Sequence, residues 1–324
     1  MKRHFIRSVV AVVVAWLAWC GTAPAQDYPT RPIRIIIGLG AGGGGDVFAR
    51  TLAEELRKVL GVPVVVENRP GGSESIGARA CADSAPDGYT VCVLSNEVMV
   101  YNQFLFKNIP FDPVKDVQPI VGLFLNTFVL AVNSSLKVRT VPDLVALSKA
   151  KSGTLSYGTF SFVLVRFMEK LKQEHGADIV RVPFRGGGEL VNAMLSGSTP
   201  VGLLALSNMI SQIEAGRIMV IAVNRKERSP LFPDVPTFLE VGRGEEYPSS
   251  WFGLFAPIGT PKPITRRLGD EVARIVSEPD FRLKMFIPRG VEPMDMKYED
   301  FASFISADRH VAERIVKETG LQPQ

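Results

Sequence analysis

Short apolar runs of about five residues alternate with helix-length segments along nearly the whole chain, and this alternation most narrows the possible folds. The first unit is "IRIIIGLGAGGGGDVFAR", from Ile33 to Arg50. Arg34 to Ile37 reads as a strand, and a glycine-rich loop leads into a helix expected over Asp46 to Leu60. That helix places Val47, Phe48, Leu52, Leu56 and Val59 on one face, and Gly61 closes it. Val62 to Val66 reads as a second strand, Ser75 to Ala82 as a helix, and Thr90 to Leu94 as a third strand after the turn Pro86-Asp87-Gly88. The middle repeats the pattern with strands over Thr127 to Val132, Thr154 to Tyr157, Ile179 to Val182, Val201 to Leu204 and Ile218 to Val223. Thr140 is the expected N-cap of a helix opened by Val141-Pro142. Trp251 to Ala256 reads as a returning strand, and Pro263 to Val276 and Tyr298 to Glu318 as helices. The expected class is α/β with largely parallel sheets.

The N-terminus has the pattern of an export signal. Lys2, Arg3 and Arg7 precede an uncharged, mostly apolar run from Val9 to Trp19, which is shorter than the roughly 20 residues of a membrane span. Ala23-Pro24-Ala25 then offers a cleavage site, so residues 1–25 read as a signal peptide and the mature chain begins at Gln26. Lipidation at Cys20 is the rival, disfavoured by the bulk of Trp19. Of the 37 Lys and Arg residues three lie in this segment, which leaves 34 against 33 acids, a net charge of +1. No basic stripe remains to suggest a nucleic-acid partner. The remaining length suits two domains. Cys81 and Cys92 survive processing; the compartment permits a disulfide, but spacing alone does not establish the geometry, and two buried unpaired thiols are the expectation.

Gly38, Gly40 and Gly43 spell G-x-G-x-x-G after a strand, and Glu67 ends the next strand where a dinucleotide site would hold ribose. Three observations oppose that reading: the export signal, a helix that starts after two further glycines, and Asp46, whose charge would repel a pyrophosphate. What remains is a run of bare amides, Gly42 to Gly45, at a helix N-terminus, where orphan donors and the helix dipole favour an anion such as a carboxylate. The alternative is a turn that only permits tight strand–helix packing. H-E-x-x-H, G-x-S-x-G, the P-loop and CxxC are absent, and after processing only His175 and His310 remain. His175, near a helix C-terminus, reads as a surface residue.

The stretches "YPTRPIRIIIGLGAGGGGDVFAR", "VPVVVENRPGG", "IGARA", "APDGYT", "FDPVKDVQPI", "LSYG", "RVPFRGGG", "RSPLFPDVPT" and "SSWFGLFAPIGTP" occur in this order. Together they closely resemble the substrate-binding proteins of tripartite tricarboxylate transporters, the TctC or Bug family, over essentially all of Asp27 to Gln322. The resemblance implies a periplasmic, non-enzymatic, monomeric solute-binding protein without cofactor or metal, of the two-lobed type II-like fold. Each lobe would be a mixed, mostly parallel sheet flanked by helices. Residues 26–124 and 245–324 would form lobe one and residues 125–244 lobe two, with a small carboxylate in the cleft between and integral membrane permease subunits as partners. A carboxylate sensor serving a signalling partner and a secreted enzyme of similar build are the alternatives.

On lobe one the ligand-binding candidates are Leu39, Gly42, Gly43, Gly44, Gly45, Asp46 and the polar turn Ser95-Asn96-Glu97. On lobe two they are Gly158, Thr159, Phe160, Ser161, Arg185, Gly186, Gly187, Leu204 and Ala205. Several depart from the family pattern. Gly45 replaces a Thr or Ser, Leu39 a Phe, Leu204-Ala205 an Asp-Asn pair, and Arg185 to Gly188 a Lys-Gly-Ser-Ala type turn; Val165 stands near the place of a His. A lobe two so depleted in polar groups leads either to an acid with one carboxylate and an apolar or aromatic body, which is the expectation, or to a copy that binds ligand poorly or is degenerate. Phe162 and Phe167 are equally consistent with helix core.

Overall fold

The computed structural model describes residues 28–159, 162–184, 187–225, 227–229, 231–241 and 250–319. The expected signal peptide lies outside them. Eleven strands among these residues form two sheets. The first runs in the order β11-β4-β10-β3-β1-β2, with β1 Ile33–Ile37, β2 Val64–Asn68, β3 Thr90–Ser95, β4 Val117–Asn126, β10 Ser250–Pro257 and β11 Val291–Pro293. The second runs β7-β6-β8-β5-β9, with β5 Phe128–Asn133, β6 Ser156–Thr159, β7 Val180–Pro183, β8 Val201–Ala205 and β9 Ile218–Val223. One residue, Thr127, separates β4 from β5, so the chain crosses between the sheets there.

Both sheets are mixed, with a larger antiparallel share than the alternation alone suggests. β1 pairs in parallel with β2 and β3, whereas β10 is antiparallel to β3 and β4. β5 is antiparallel to both β8 and β9. The strand β4 was not among the expected elements, because Gln118, Pro119 and Gly122 break up its apolar pattern. It is held as a strand by β10, whose eight residues are all buried.

Helix α1, Gly44–Leu60, covers the first sheet with Phe48, Ala49, Leu52, Ala53, Leu56 and Leu60. It begins two residues before the expected start. Val59 lies toward the edge of the buried stripe in the last turn and is 38% exposed. Gly61 closes the helix in a left-handed conformation, its amide donating to the Arg57 carbonyl. Helix α2, Ser75–Ala82, and the cap of helix α3, Val141–Ala150, follow the sequence reading. Thr140 accepts from the Asp143 amide while Asp143 accepts from the Thr140 amide, a reciprocal capping box. Helices α4 (Phe162–His175) and α5 (Gly187–Ser196) flank the second sheet, and α6 (Lys262–Ser277) and α7 (Tyr298–Thr319) return to the first. Phe167 is core, stacked on Phe238 with ring centroids 4.0 Å apart.

The expectation of unpaired thiols is corrected: Cys81 and Cys92 form a disulfide. The last turn of α2 lies over β3 and brings the two Cα atoms to 6.0 Å, within the range that a disulfide spans.

Candidate functional site

The C-terminal ends of β1 and β3 and the N-terminus of α1 face one edge of the first sheet. Gly42 takes a left-handed φ of 84°, and Gly43 (φ −74°, ψ 166°) is the N-cap. The first i→i−4 bond runs from the Val47 amide to the Gly43 carbonyl at 3.0 Å. The amides of Gly43, Gly44, Gly45 and Asp46 therefore have no acceptor within the helix. Gly42 is different, since its amide donates to Asp46 Oδ2 at 2.9 Å. Arg50 Nε donates to the same oxygen at 3.0 Å, and Asn68 Nδ2 donates to Asp46 Oδ1 at 2.8 Å. Burial of this carboxyl pushes its pKa up, but the bonds from Arg50, Gly42 and Asn68 outweigh burial and hold it below the usual range. Asp46 thus pins the loop from the third helical position instead of opening the helix. A Cβ on Gly45 would lie 2.9 Å from Leu39 Cδ1, so Leu39 packs over the helix start where Gly45 leaves room.

A second loop stands beside the first. Gly71, Gly72, Ser73 and Glu74 all have positive φ, of 123°, 55°, 49° and 70°. For Ser73 and Glu74 this conformation costs roughly 1–2 kcal/mol each. Asn102 Nδ2 holds the loop by donating to the Ser73 carbonyl at 2.7 Å and to Ser75 Oγ at 3.1 Å. Glu74 packs over Gly38, where an added Cβ would come within 2.7 Å of Glu74 Cβ. Its carboxyl accepts from Ser95, whose Oγ donates to Oε1 at 2.6 Å and whose backbone adds a weaker contribution. Burial raises its pKa to about 7; the Ser95 bond opposes this and the charge of Glu97 adds to it. The sequence reading missed Glu74 because a single acid among turn residues carries no periodic signal. Ser95-Asn96-Glu97 is not an isolated turn either. β3 ends at Ser95 and the chain passes through Asn96 into a π-helical turn, Glu97–Tyr101, with Ser95 and Asn96 buried.

On the second sheet, Gly158 and Thr159 end β6, both buried. Leu204 faces the core. It is fully buried in a core cluster with Val129, Leu190 and Met194. Ala205 ends β8, and the polar residues come next, in the 3-10 turn Leu206–Asn208. Ser207 Oγ lies 3.3 Å from the place a Cβ on Gly44 would take, so a hydroxyl of the second sheet stands at the N-terminus of α1. Gly187 opens α5 beside Asn208, whose Oδ1 lies 2.5 Å from the corresponding Cβ position. Ser207 and Asn208 were legible only as two polar residues past a strand. Phe160, Ser161, Arg185 and Gly186 lie outside the described residues.

The two sheets also meet away from these loops. Arg225, after β9, forms an ion pair with Glu292 of β11, and Leu206 packs against Gly290. Buried polar side chains lie at strand ends: Ser95 ends β3 with Asn96 next, Thr127 stands at the crossing, Thr159 ends β6, Asn224 follows β9 and Ser250 starts β10. Glu67 is engaged by Arg69 Nε at 2.6 Å and Arg34 Nη1 at 3.2 Å. Among the described residues no group of three His, Cys, Asp or Glu is placed to hold a metal ion, and no helix is long and apolar enough to cross a membrane. The arrangement offers hydrogen-bond donors to a small anion from both sides.

A profile of the tripartite tricarboxylate transporter family receptor, TctC, matches residues 48–321. Protein BugT of Bordetella pertussis is 30% identical over 326 residues, covering 99% of both chains. A UPF0065 protein encoded in the gbd 5' region of Cupriavidus necator is 33% identical over 99% of this chain and 98% of its own. Among solved structures, an R. palustris protein with adipate superposes with a TM-score of 0.84 at 27% identity, covering 92% of this chain and 100% of the other. The periplasmic binding protein BugD gives 0.81 at 26% identity, with the same coverage. MatC of Rhodopseudomonas palustris, with bound malate, gives 0.77 at 25% identity, covering 89% and 100%.

Proposed function

Because this chain belongs to the tripartite tricarboxylate transporter receptor family, we propose that it is an extracytoplasmic solute receptor that captures a small carboxylate and delivers it to integral membrane permease subunits. Residues 1–25 are the cleaved export signal in this reading. Residues 26–124 and 245–324 form one lobe and residues 125–244 the other. The protein acts as a monomer and transforms nothing; its work is capture and closure.

The observation that carries the proposal is the placement of Ser207 across from the free amides at the start of α1. A carboxylate there receives donors from both lobes, and a ligand must contact both to favour closure. Leu204 belongs to the core, which removes the main reason for expecting an apolar or aromatic monocarboxylate. Ser207 and Asn208 supply polar groups on lobe two instead, and these suit an acid that is polar at both ends. The related structures with adipate and malate are consistent with that class.

Calorimetry of the mature chain with adipate, malate, citrate and benzoate tests the proposal. A dicarboxylate is expected to bind most tightly. Gly43→Val is expected to abolish binding while the fold is kept, because φ at this position is negative and the nearest atom to an added Cβ is the Gly40 carbonyl at 3.8 Å. Unchanged affinity in this variant removes the glycine loop from the site. A tightest response to benzoate restores the apolar reading of lobe two.

A further inference from the structure

Glu74 is a buried group that the fold leaves incomplete. It is 8% exposed, Oε1 accepts from Ser95, and Oε2 is buried with no hydrogen-bond partner. The backbone and Cβ of Glu74 stand over Gly38, and its carboxyl lies against Ser95 at the end of β3, the strand that pairs with β1, whose following loop leads into α1. The charged neighbour acting on it is Glu97, on the π-helical turn, and its sign is the same. Among the described residues no cation acts on it. Ser95 is the partner from β3, and on α2 Arg79 is engaged with Asp83. An ionised carboxylate in this place would have only Ser95, through its hydroxyl and backbone, as donor and no cation, a costly state for a buried charge. The neutral acid avoids that cost, and its second oxygen then carries an O–H donor that needs an acceptor.

We propose that Glu74 is a ligand-binding residue that acts as a protonated acid, donating its Oε2 proton to a carboxylate oxygen of the bound solute. The inference rests on the receptor reading above and deepens it: the recognised form of the ligand is an ionised carboxylate, and binding is linked to one proton held on Glu74. The pKa near 7, raised by burial and by Glu97, places that proton on the residue under mildly acidic to neutral conditions. The left-handed backbone at Ser73 and Glu74 is a further sign, because such conformations persist where the surroundings over-determine them and they cluster at ligand sites. At higher pH the same residue becomes an anion facing an anionic ligand and repels it.

The test is calorimetry of the mature wild type and Glu74→Gln with adipate, malate and benzoate from about pH 5.5 to about pH 8.5. Glutamine keeps the shape and a donor but does not titrate. The wild type is expected to lose affinity above about pH 7, approaching tenfold per pH unit, while Glu74→Gln stays level and matches the wild type near pH 6 within about threefold. Parallel profiles for the two proteins overturn the contact and leave the receptor reading intact. Failure of all three acids to bind at any pH overturns both. Carbon-13 NMR of the carboxyl, which needs no ligand, is the second measurement: a Glu74 signal that titrates in the ordinary glutamate range overturns the donor role.

Discussion

Asp46, in the first turn of α1, and Glu74, in the loop before α2, are buried carboxyls whose pKa values are shifted in opposite directions. Asp46 accepts from a guanidinium, an amide side chain and a backbone amide, and its pKa is lowered. Glu74 accepts from one hydroxyl, faces Glu97, and its pKa is raised to about 7. Both are nearly excluded from water, so burial does not separate them. The number and charge of the donors does. One loop is therefore fixed by a satisfied anion. The other keeps an acid with hydrogen-bonding capacity to spare, and that contrast distinguishes a structural carboxylate from a candidate for ligand contact.

The largest expected effect comes from breaking the satisfied side. Asp46→Ala removes the acceptor of the Gly42 amide, of one Asn68 N–H and of Arg50 Nε, while Asn68 keeps Leu39 and Arg50 keeps Asn68, and is expected to cost about 3 kcal/mol, the scale of hydrogen bonds to a buried charge. Arg50 is half exposed and recovers part of its solvation, which keeps the figure below the top of the range. Urea unfolding measures it; a cost under about 1 kcal/mol would show that the loop does not depend on Asp46.

The Glu74 side is read through pH. Its carboxyl ionises near 4.5 in the unfolded chain and near 7 in the folded one. Folding holds the proton more tightly, so this contribution is complete below about pH 4.5 and is lost as pH rises to about 7. The wild type is expected to lose on the order of 2–3 kcal/mol over that window relative to Glu74→Gln. Asp308, raised to about 6 by burial although the Trp251 indole and Arg309 oppose it, acts in the same window in both proteins and cancels in the comparison. Stability curves that keep a constant offset would place Glu74 with the ionised acids.

The disulfide ties α2, which begins beside Glu74, to β3, which ends at Ser95. Replacing Cys81 and Cys92 by serine is expected to cost about 2–3 kcal/mol for a loop of this size. It should also weaken the pH dependence assigned to Glu74 while leaving the Asp46 loop intact. The smallest effect is expected of Ser95→Ala, about 1 kcal/mol for one hydrogen bond. Because the Ser95 bond lowers the pKa of Glu74, its loss should move the NMR titration upward. A downward movement would mean that another donor replaces the hydroxyl.

The sequence by itself determined the features that depend on residues close along the chain. The strand and helix alternation, the Thr140 capping box and the Gly61 terminus are set by side chains within about four positions of one another. The glycine run announced the free amides of Gly43 to Gly45 for the same reason, but not that Asp46 takes the amide of Gly42. Tertiary structure decided the rest. Leu204 and Ser207 are three residues apart, and only the packing of β8 sends one into the core and sets the other against Gly44. The disulfide required α2 to lie over β3, and β4 became a strand because β10 pairs with it. Glu74 gave no signal at all, since the ionisation of a carboxyl depends on which donors and charges surround it, and Gly38, Ser95 and Glu97 reach it only through the fold.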